Sequence, residues 1–266
     1  MRKIRILFAH HQLVCGGAEQ ALFDLICLLD KEKFDINVWV HHDDGIWTER
    51  FKNEGINVTS IWDCQVPSRN PIIKLQNFGK RIRIKRALKN DGQRLIEAIY
   101  PKGFDIVVSF HEYCMPKMFI SDTIKTVRYI HGDVATNEDY LIPLLNNREE
   151  LLKFDRFVCV SETARQSFTR MLGISEGVEV HFNPLNSEHI LKLAQAPVVM
   201  PYERPVVCAV GRLSSEKGFG RLIRIHKDLT DKGIAHDLLI IGDGKEKESL
   251  LSIIRECDVQ DSVHMI

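Results

Sequence analysis

The residue pattern predicts an α/β chain of two Rossmann-like domains, the second incomplete. Three observations carry that reading. Strand-like runs alternate with helical ones, the runs are rich in Val and Ile, and the alternation restarts after a proline-rich joint. Apolar runs without polar interruption belong to strands covered on both faces, which means a parallel, doubly wound sheet.

Taken in order, Ile4-Arg5-Ile6-Leu7-Phe8-Ala9 ends a buried first strand, and Gly16-Gly17 follows a short loop. Ala18, Ala21, Leu22, Leu25, Ile26 and Leu29 then recur at helical spacing. Phe34 to Val40 is the second strand and Ile56 to Ile61 the third. Phe104 to Ser109, Thr126 to Ile130, Phe157 to Ser161 and Val178 to Phe182 continue the series, with a helix from Thr163 to Leu172. These make a first domain over residues 1–196. Ala196-Pro197, Met200-Pro201 and Arg204-Pro205 break the pattern, as linkers do. A second domain, 205–266, opens with strand Val206 to Val210, helix Phe219 to Leu229 and strand Leu238 to Ile241. Helix Glu246 to Cys257 and a strand from Ser262 to Ile266 follow. No closing helix covers that last strand, so a continuation past Ile266 is expected.

Bulk properties exclude several classes. Lys+Arg and Asp+Glu are each 36, and a neutral chain lacks the basic excess of a general nucleic-acid binder. The seven cysteines include no C-x-x-C and make an odd count, which reads as reduced, buried thiols in a cytoplasmic protein without a structural zinc. Arg5 splits the short apolar run at the amino terminus, and no small-residue cleavage site follows; it reads as a strand rather than a signal peptide. No apolar stretch reaches membrane-spanning length, so any membrane contact is peripheral.

The most informative segment is Gly211-Arg212-Leu213-Ser214-Ser215-Glu216-Lys217-Gly218, between a buried strand and a helix. Gly211 permits a sharp turn, and Gly218 lets the helix start close to a ligand. That start offers unpaired N–H groups and the positive end of a dipole. Arg212 adds a forked donor and Lys217 a point charge, an arrangement suited to a pyrophosphate. The alternative is a surface loop with solvated charges.

Gly16-Gly17 is either a turn or a place where phosphate or acceptor approaches the backbone, and it lacks the G-x-G-x-x-G of a dinucleotide site. Glu19 is a first-turn carboxylate or an acceptor contact. His131 follows a buried strand and precedes Gly132, at the carboxyl rim where such sheets bind ligands, although a lone rim histidine is often structural. His10, His11, His111 and Ser161 also fall at strand ends. Gly242-Asp243-Gly244-Lys245 is no P-loop, since Leu239 and Glu246 stand where Gly and Ser or Thr are needed. It reads first as a tight strand-to-helix turn. No H-x-H, H-E-x-x-H or D-x-D metal signature is present; His41-His42-Asp43-Asp44 could hold a metal but reads first as a solvated strand end.

Between Lys74 and Arg94 lie eight basic residues, Lys74, Lys80, Arg81, Arg83, Lys85, Arg86, Lys89 and Arg94, against the single acid Asp91. A solvated helix face is one explanation. A local excess within a neutral chain favours a surface helix for anionic lipid head groups or an acidic acceptor.

Five segments together resemble family 4 of the retaining glycosyltransferases: Gly16-Gly17-Ala18-Glu19, Tyr129-Ile130-His131-Gly132-Asp133, Val160-Ser161-Glu162, Ala209 to Gly218, and Ile240-Ile241-Gly242-Asp243-Gly244 with Leu250. They stand in that family's order along the whole chain. The resemblance implies the GT-B fold, two facing Rossmann-like domains with a nucleotide-sugar donor between them. It implies transfer of a sugar from a UDP- or GDP-linked donor to a saccharide or lipid-linked acceptor, with retention and without metal or cofactor. Arg212 and Lys217 would hold the diphosphate, with Gly16, Gly17, Gly211 and Gly242 at the donor. His131 would orient the donor sugar, and Glu19 and Ser161 would lie toward acceptor or interdomain contacts. Lys80, Arg81, Arg83, Lys85 and Arg86 would face the inner side of a membrane. The family's pair of glutamates seven residues apart would lie past Ile266. A truncated, inactive product, a non-catalytic partner subunit and a nucleotide-sugar epimerase of the same build are the alternatives.

Overall fold

The computed structural model describes residues 2–42, 45–60, 70–90, 100–111, 123–136, 138–197 and 201–266. It divides into two compact units, Met1–Leu191 and Lys192–Ile266. Ile61, Asp43, Asp44, Arg94, Cys64, Cys114 and Met200 lie outside the described residues.

Unit 1 is one parallel sheet of seven strands: β1 (Ile4–Gln12), β2 (Phe34–His42), β3 (Asn57–Ser60), β4 (Ile106–Ser109), β5 (Lys125–Ile130), β6 (Arg156–Cys159) and β7 (Val178–Val180). Their spatial order is β3-β2-β1-β4-β5-β6-β7. The chain leaves β1 toward β2 on one side and returns to β4 on the other, so β1 and β4 flank the topological switch point. Crossovers diverge there and leave a crevice at the strands' carboxyl ends. Register fixes what lies in it. Ala9 pairs with Ser109, and Ile130 with Cys159, so Phe110 and His131 come just past the last paired rungs, and His10, still paired with Val40 of β2, lies just past the last rung between β1 and β4.

The helices are α1 (Gly17–Leu28), α2 (Thr48–Asn53), α3 (Pro71–Asn90), α4 (Glu138–Asn146), α5 (Arg148–Leu151), α6 (Glu162–Leu172) and α7 (Ser187–Leu193). The last of these spans the boundary between the units. The apolar pattern does not announce α2, α4, α5 and α7, because periodicity over so few turns is weak. Pro71 opens α3 at the position where a missing N–H costs nothing, and Asn70 Oδ1 accepts from Ile72 N at 2.9 Å. Ser161 caps α6 by accepting from Ala164 N, and Gly173 ends it at φ 65°. Two cores result. Phe8, Leu22, Phe23, Ile26, Val38, Val40, Phe51 and Phe110 pack in one, and Ile130, Leu144, Leu151, Phe157, Phe168 and Leu172 in the other.

Unit 2 has three parallel strands, β8 (Val206–Val210), β9 (Asp237–Ile241) and β10 (Val263–Met265), in the order β10-β9-β8. A 3₁₀ turn (Ser215–Lys217) precedes α8 (Phe219–Asp231), and α9 (Lys247–Glu256) follows β9. Leu213, Phe219, Ile223, Leu238, Ile240, Leu250, Ile254 and Val263 form its core. Gly220 lets the two helices meet, for a Cβ there would lie 3.0 Å from Ile253 Cδ1. One expectation needs correcting. Cys159 is buried, but Cys15 and Cys208 are exposed. Cys15 sits in the loop after β1. Cys208 points to the face of β8 opposite Ala209, which is the residue that packs on the core.

At the amino-terminal end of this sheet two buried histidines form a chain. His236 Nδ1 lies 2.9 Å from the Ile234 carbonyl, which can only accept, so this nitrogen carries the proton. His226 Nδ1 then donates to His236 Nε2, and His226 Nε2 accepts from the Ser262 hydroxyl, each at 2.8 Å. The His226 ring, donating on one nitrogen and accepting on the other, is neutral. Burial, then the neighbouring His236 ring, lowers the His226 pKa; Asp237 opposes this, and Arg204 and His264 add slightly to it. The unfolded chain thus binds more protons below about pH 6.5. We expect stability to be full above that value and to fall as pH drops through the lowered His226 pKa. Denaturant midpoints between pH 7.5 and 5.5 measure this, and a His226→Phe variant should lose much of the slope.

Candidate functional site

In unit 1 the switch-point crevice gathers side chains from β1, α1, β4 and β5. His10, one residue past the rung that ties β1 to β4, is fully buried. Its ring centroid is 4.9 Å from that of His111 and 6.5 Å from that of Phe110. Burial, then His111 and His131, hold its pKa well below the ordinary histidine value, so it is neutral. Glu19 on the first turn of α1 is also buried, and its Oε1 comes within 3.8 Å of His10 Nε2. The carboxylate folds back over Gly16, where a Cβ would lie 2.4 Å from Oε2. Gly16 therefore makes room for Glu19. At Gly17 a Cβ would meet nothing within 4 Å among the described residues, so none of them demands glycine there.

His131 is half-buried beside Phe110, with ring centroids 4.7 Å apart. Its Nε2 lies 2.6 Å from the Phe110 carbonyl. A carbonyl accepts, so Nε2 carries the proton and Nδ1 is the acceptor nitrogen of the ring. The turn beyond is fixed by Asp133 Oδ1 accepting from Ala135 N at 2.9 Å, and by Ser167 Oγ accepting from Val134 N at 3.2 Å. Ser161 is half-buried, and its hydroxyl oxygen is engaged in capping α6. His11 stacks on His41 at 5.7 Å, and burial and His42 lower the pKa of both.

In unit 2 the loop after β8 is stitched to the turn after β9. Gly211 N donates to the Ile241 carbonyl, Leu213 N to that of Asp243, and Glu246 N to that of Leu213. Gly242 has φ 152°, and a Cβ on it would lie 2.0 Å from the Gly211 carbonyl oxygen; one on Gly244 would lie 2.4 Å from that of Leu213. Those two glycines serve close packing of one loop on the other. Leu213 anchors the segment in the core, and Gly218 at φ 70° joins the 3₁₀ turn to α8. The anchoring leaves Arg212 and Lys217 exposed on either side of the turn, with the unpaired first-turn N–H groups of α8 beyond.

Arg212 is not loose. Its Nη2 donates to Glu216 Oε1 at 3.0 Å, and the buried Ser214 hydroxyl donates to the same oxygen at 2.5 Å. The Ser214 bond, the residue's own N–H and Arg212 together bring the Glu216 pKa down to about 2. A cavity of about 500 Å³ is lined by Arg212, Leu213, Ser214, Glu216 and Lys245. Sequence reasoning missed Glu216 and Lys245 as members of this site. Lys245 reaches it only because the turn after β9 packs on the loop after β8, which no local spacing reveals.

Comparison with known proteins bears on both units. The profile described as Glycosyltransferase Family 4 matches residues 15–189, more than half of the chain, and that of Glycosyl transferases group 1 matches residues 194–266. The amylovoran biosynthesis glycosyltransferase AmsD of Erwinia amylovora is 43% identical over 60 residues, 23% of this chain and 16% of AmsD. Anabaena Alr3699/HepE, solved in complex with UDP-glucose, superposes with TM-score 0.65 at 16% identity, over 99% of this chain and 68% of that one. TarM gives TM-score 0.68 at 12% identity, over 100% of this chain and 76% of its own. The structural likeness establishes the fold, the two-sheet GT-B arrangement with a second sheet of three strands.

Proposed function

The chain belongs to glycosyltransferase family 4, and on that premise we propose that it serves to move a sugar from a nucleoside diphosphate donor to a hydroxyl acceptor with retention. The donor is UDP- or GDP-linked, and the acceptor is a saccharide or a lipid-linked one. The observation that carries the reading is the loop after β8, an exposed guanidinium and an exposed ammonium fixed around a 3₁₀ turn at the start of a helix. As the sugar–phosphate bond breaks, negative charge builds on the diphosphate and the sugar becomes oxocarbenium-like. Arg212 and Lys217 meet that charge as preorganised cations, so no divalent ion is needed at the leaving group. His131, protonated on Nε2, accepts a donor-sugar hydroxyl on Nδ1 and orients the ring. The UDP-glucose complex of HepE supports a nucleotide-sugar donor, and the amylovoran role of AmsD supports a polysaccharide product.

Titration of the full-length protein with UDP and GDP should give saturable heat with one of them. Labelled UDP- and GDP-sugars should then yield glycosylated lipid or oligosaccharide. An isomerised free sugar would mark an epimerase instead, and no heat with either nucleotide would sink the reading.

The acceptor side of the proposal places α3 at an anionic membrane surface, on the cytoplasmic face. Ile72, Leu75 and Phe78 are 67%, 72% and 59% exposed, and with Ile82 they fall within about a third of the helix circumference. The same helix carries Lys80, Arg81, Arg83, Lys85 and Arg86 at positions spread around its axis. Among the described residues no helix is long and apolar enough to cross a membrane. Binding would therefore be peripheral, with charge drawing the helix in and the apolar arc inserting. Reversing Lys80, Arg81 and Arg83 to Glu is expected to abolish sedimentation with phosphatidylserine-containing liposomes; unchanged binding would remove the membrane from the proposal.

A further inference from the structure

The switch-point crevice of unit 1 holds more chemistry than sugar orientation needs. His10 from β1, Glu19 from α1 and His111 beyond β4 turn their ligating atoms toward one another, all within 4.8 Å. We propose that these three residues bind one first-row divalent cation, best matched by Zn²⁺, with a coordination position left for water or a substrate hydroxyl.

Two imidazoles and one carboxylate form a donor set used for zinc and for other first-row ions, whereas Mg²⁺ and Ca²⁺ favour oxygen-only shells. The spacing suits an ion. His10 Nε2 and Glu19 Oε1 stand 3.8 Å apart, too far for a hydrogen bond. Two ligands each about 2.1 Å from a tetrahedral ion lie about 3.4 Å from one another, so a contraction of a few tenths of an ångström closes this pair on a metal. Among the described residues neither ring nitrogen of the fully buried His10 has a well-formed hydrogen bond, although the Gln12 backbone lies close enough to raise its pKa against the stronger lowering by burial. A buried polar ring left in that condition is costly, and coordination satisfies it. The carboxylate is already aimed, because Glu19 lies against Gly16 where any side chain would displace it. His111 is half-buried while the other two are buried, which puts the open position on its side. All three residues belong to unit 1, whereas the cations assigned to the diphosphate belong to unit 2, so the site is additional to that assignment and does not depend on it.

The test uses the 266-residue chain stripped with EDTA and titrated with Zn²⁺ by calorimetry and with Co²⁺ by visible absorption. One ion per chain and the intense d–d bands of four-coordinate Co²⁺ are expected. Glu19→Gln, which keeps the shape, and His111→Ala, at a half-exposed position, should each weaken binding on the order of a hundredfold. Circular dichroism will show whether both stay folded. The double variant His41→Ala/His42→Ala, at the separate surface histidines, should bind like the parent. No binding by the parent chain, parent-like affinity in folded Glu19→Gln and His111→Ala, or loss in the His41/His42 variant would each overturn the assignment.

Discussion

Alanine in place of Arg212 is expected to cut sugar transfer by the full-length protein on the order of a hundredfold, about 3 kcal/mol of transition-state stabilisation. The same substitution at Lys217 should act similarly. Both side chains are exposed, so neither supports the core, and exposed substitutions usually move stability by only about 0.5 kcal/mol. The measurement is therefore kcat/KM beside a denaturation midpoint. A large fall in the first with little change in the second locates the loss in the transition state. Turnover that survives both replacements would end the reading of this loop as the diphosphate grip. Lysine at 212 is a further comparison, since it keeps the charge and loses the fork.

Gly242→Ala should instead destabilise. Its φ of 152° is open to glycine and strained for any other residue, and the added carbon would sit 2.0 Å from the Gly211 carbonyl oxygen. The strained dihedral alone is worth about 1–3 kcal/mol, and relieving the clash moves the loop that carries Arg212. Loss of about 3 kcal/mol, read from chemical unfolding of unit 2, is the expected result. Gly17→Ala is the contrasting case, because none of the described residues lies within 4 Å of the new methyl. Its stability should stay within about 0.5 kcal/mol of the parent, which leaves any fall in turnover to a ligand at α1.

Much of this architecture was legible in the residues alone. The Val- and Ile-rich runs placed each of the ten described strands to within a few positions, since most of them are covered on both faces and such a strand has few alternatives. The loop after β8 was legible too, because its glycines and cations lie within eight consecutive residues. What escaped depends on register and on loop-to-loop packing. His10 and His111 are a hundred positions apart and meet because Ala9 pairs with Ser109. Either one alone is an unremarkable histidine at a strand end. Glu216 reads as one more charged loop residue until the turn brings its carboxylate back to Arg212 and Ser214. Exposure at Cys208 escaped for a related reason: an apolar run shows that a strand is buried, not which of its faces a helix covers.

The contact between Arg212 and Glu216 shapes how ligands compete for this loop. Glu216 Oε1 accepts from both Arg212 and Ser214, so the guanidinium already faces a carboxylate before any ligand arrives. An arriving anion has to displace an internal rival rather than fill a vacancy. Chloride and other weakly held counter-ions gain little from that exchange, while a doubly charged diphosphate brings enough charge and reach to drive it. On the proposed reading of this loop, selectivity for a nucleotide would begin as a swap between two acids at one arginine.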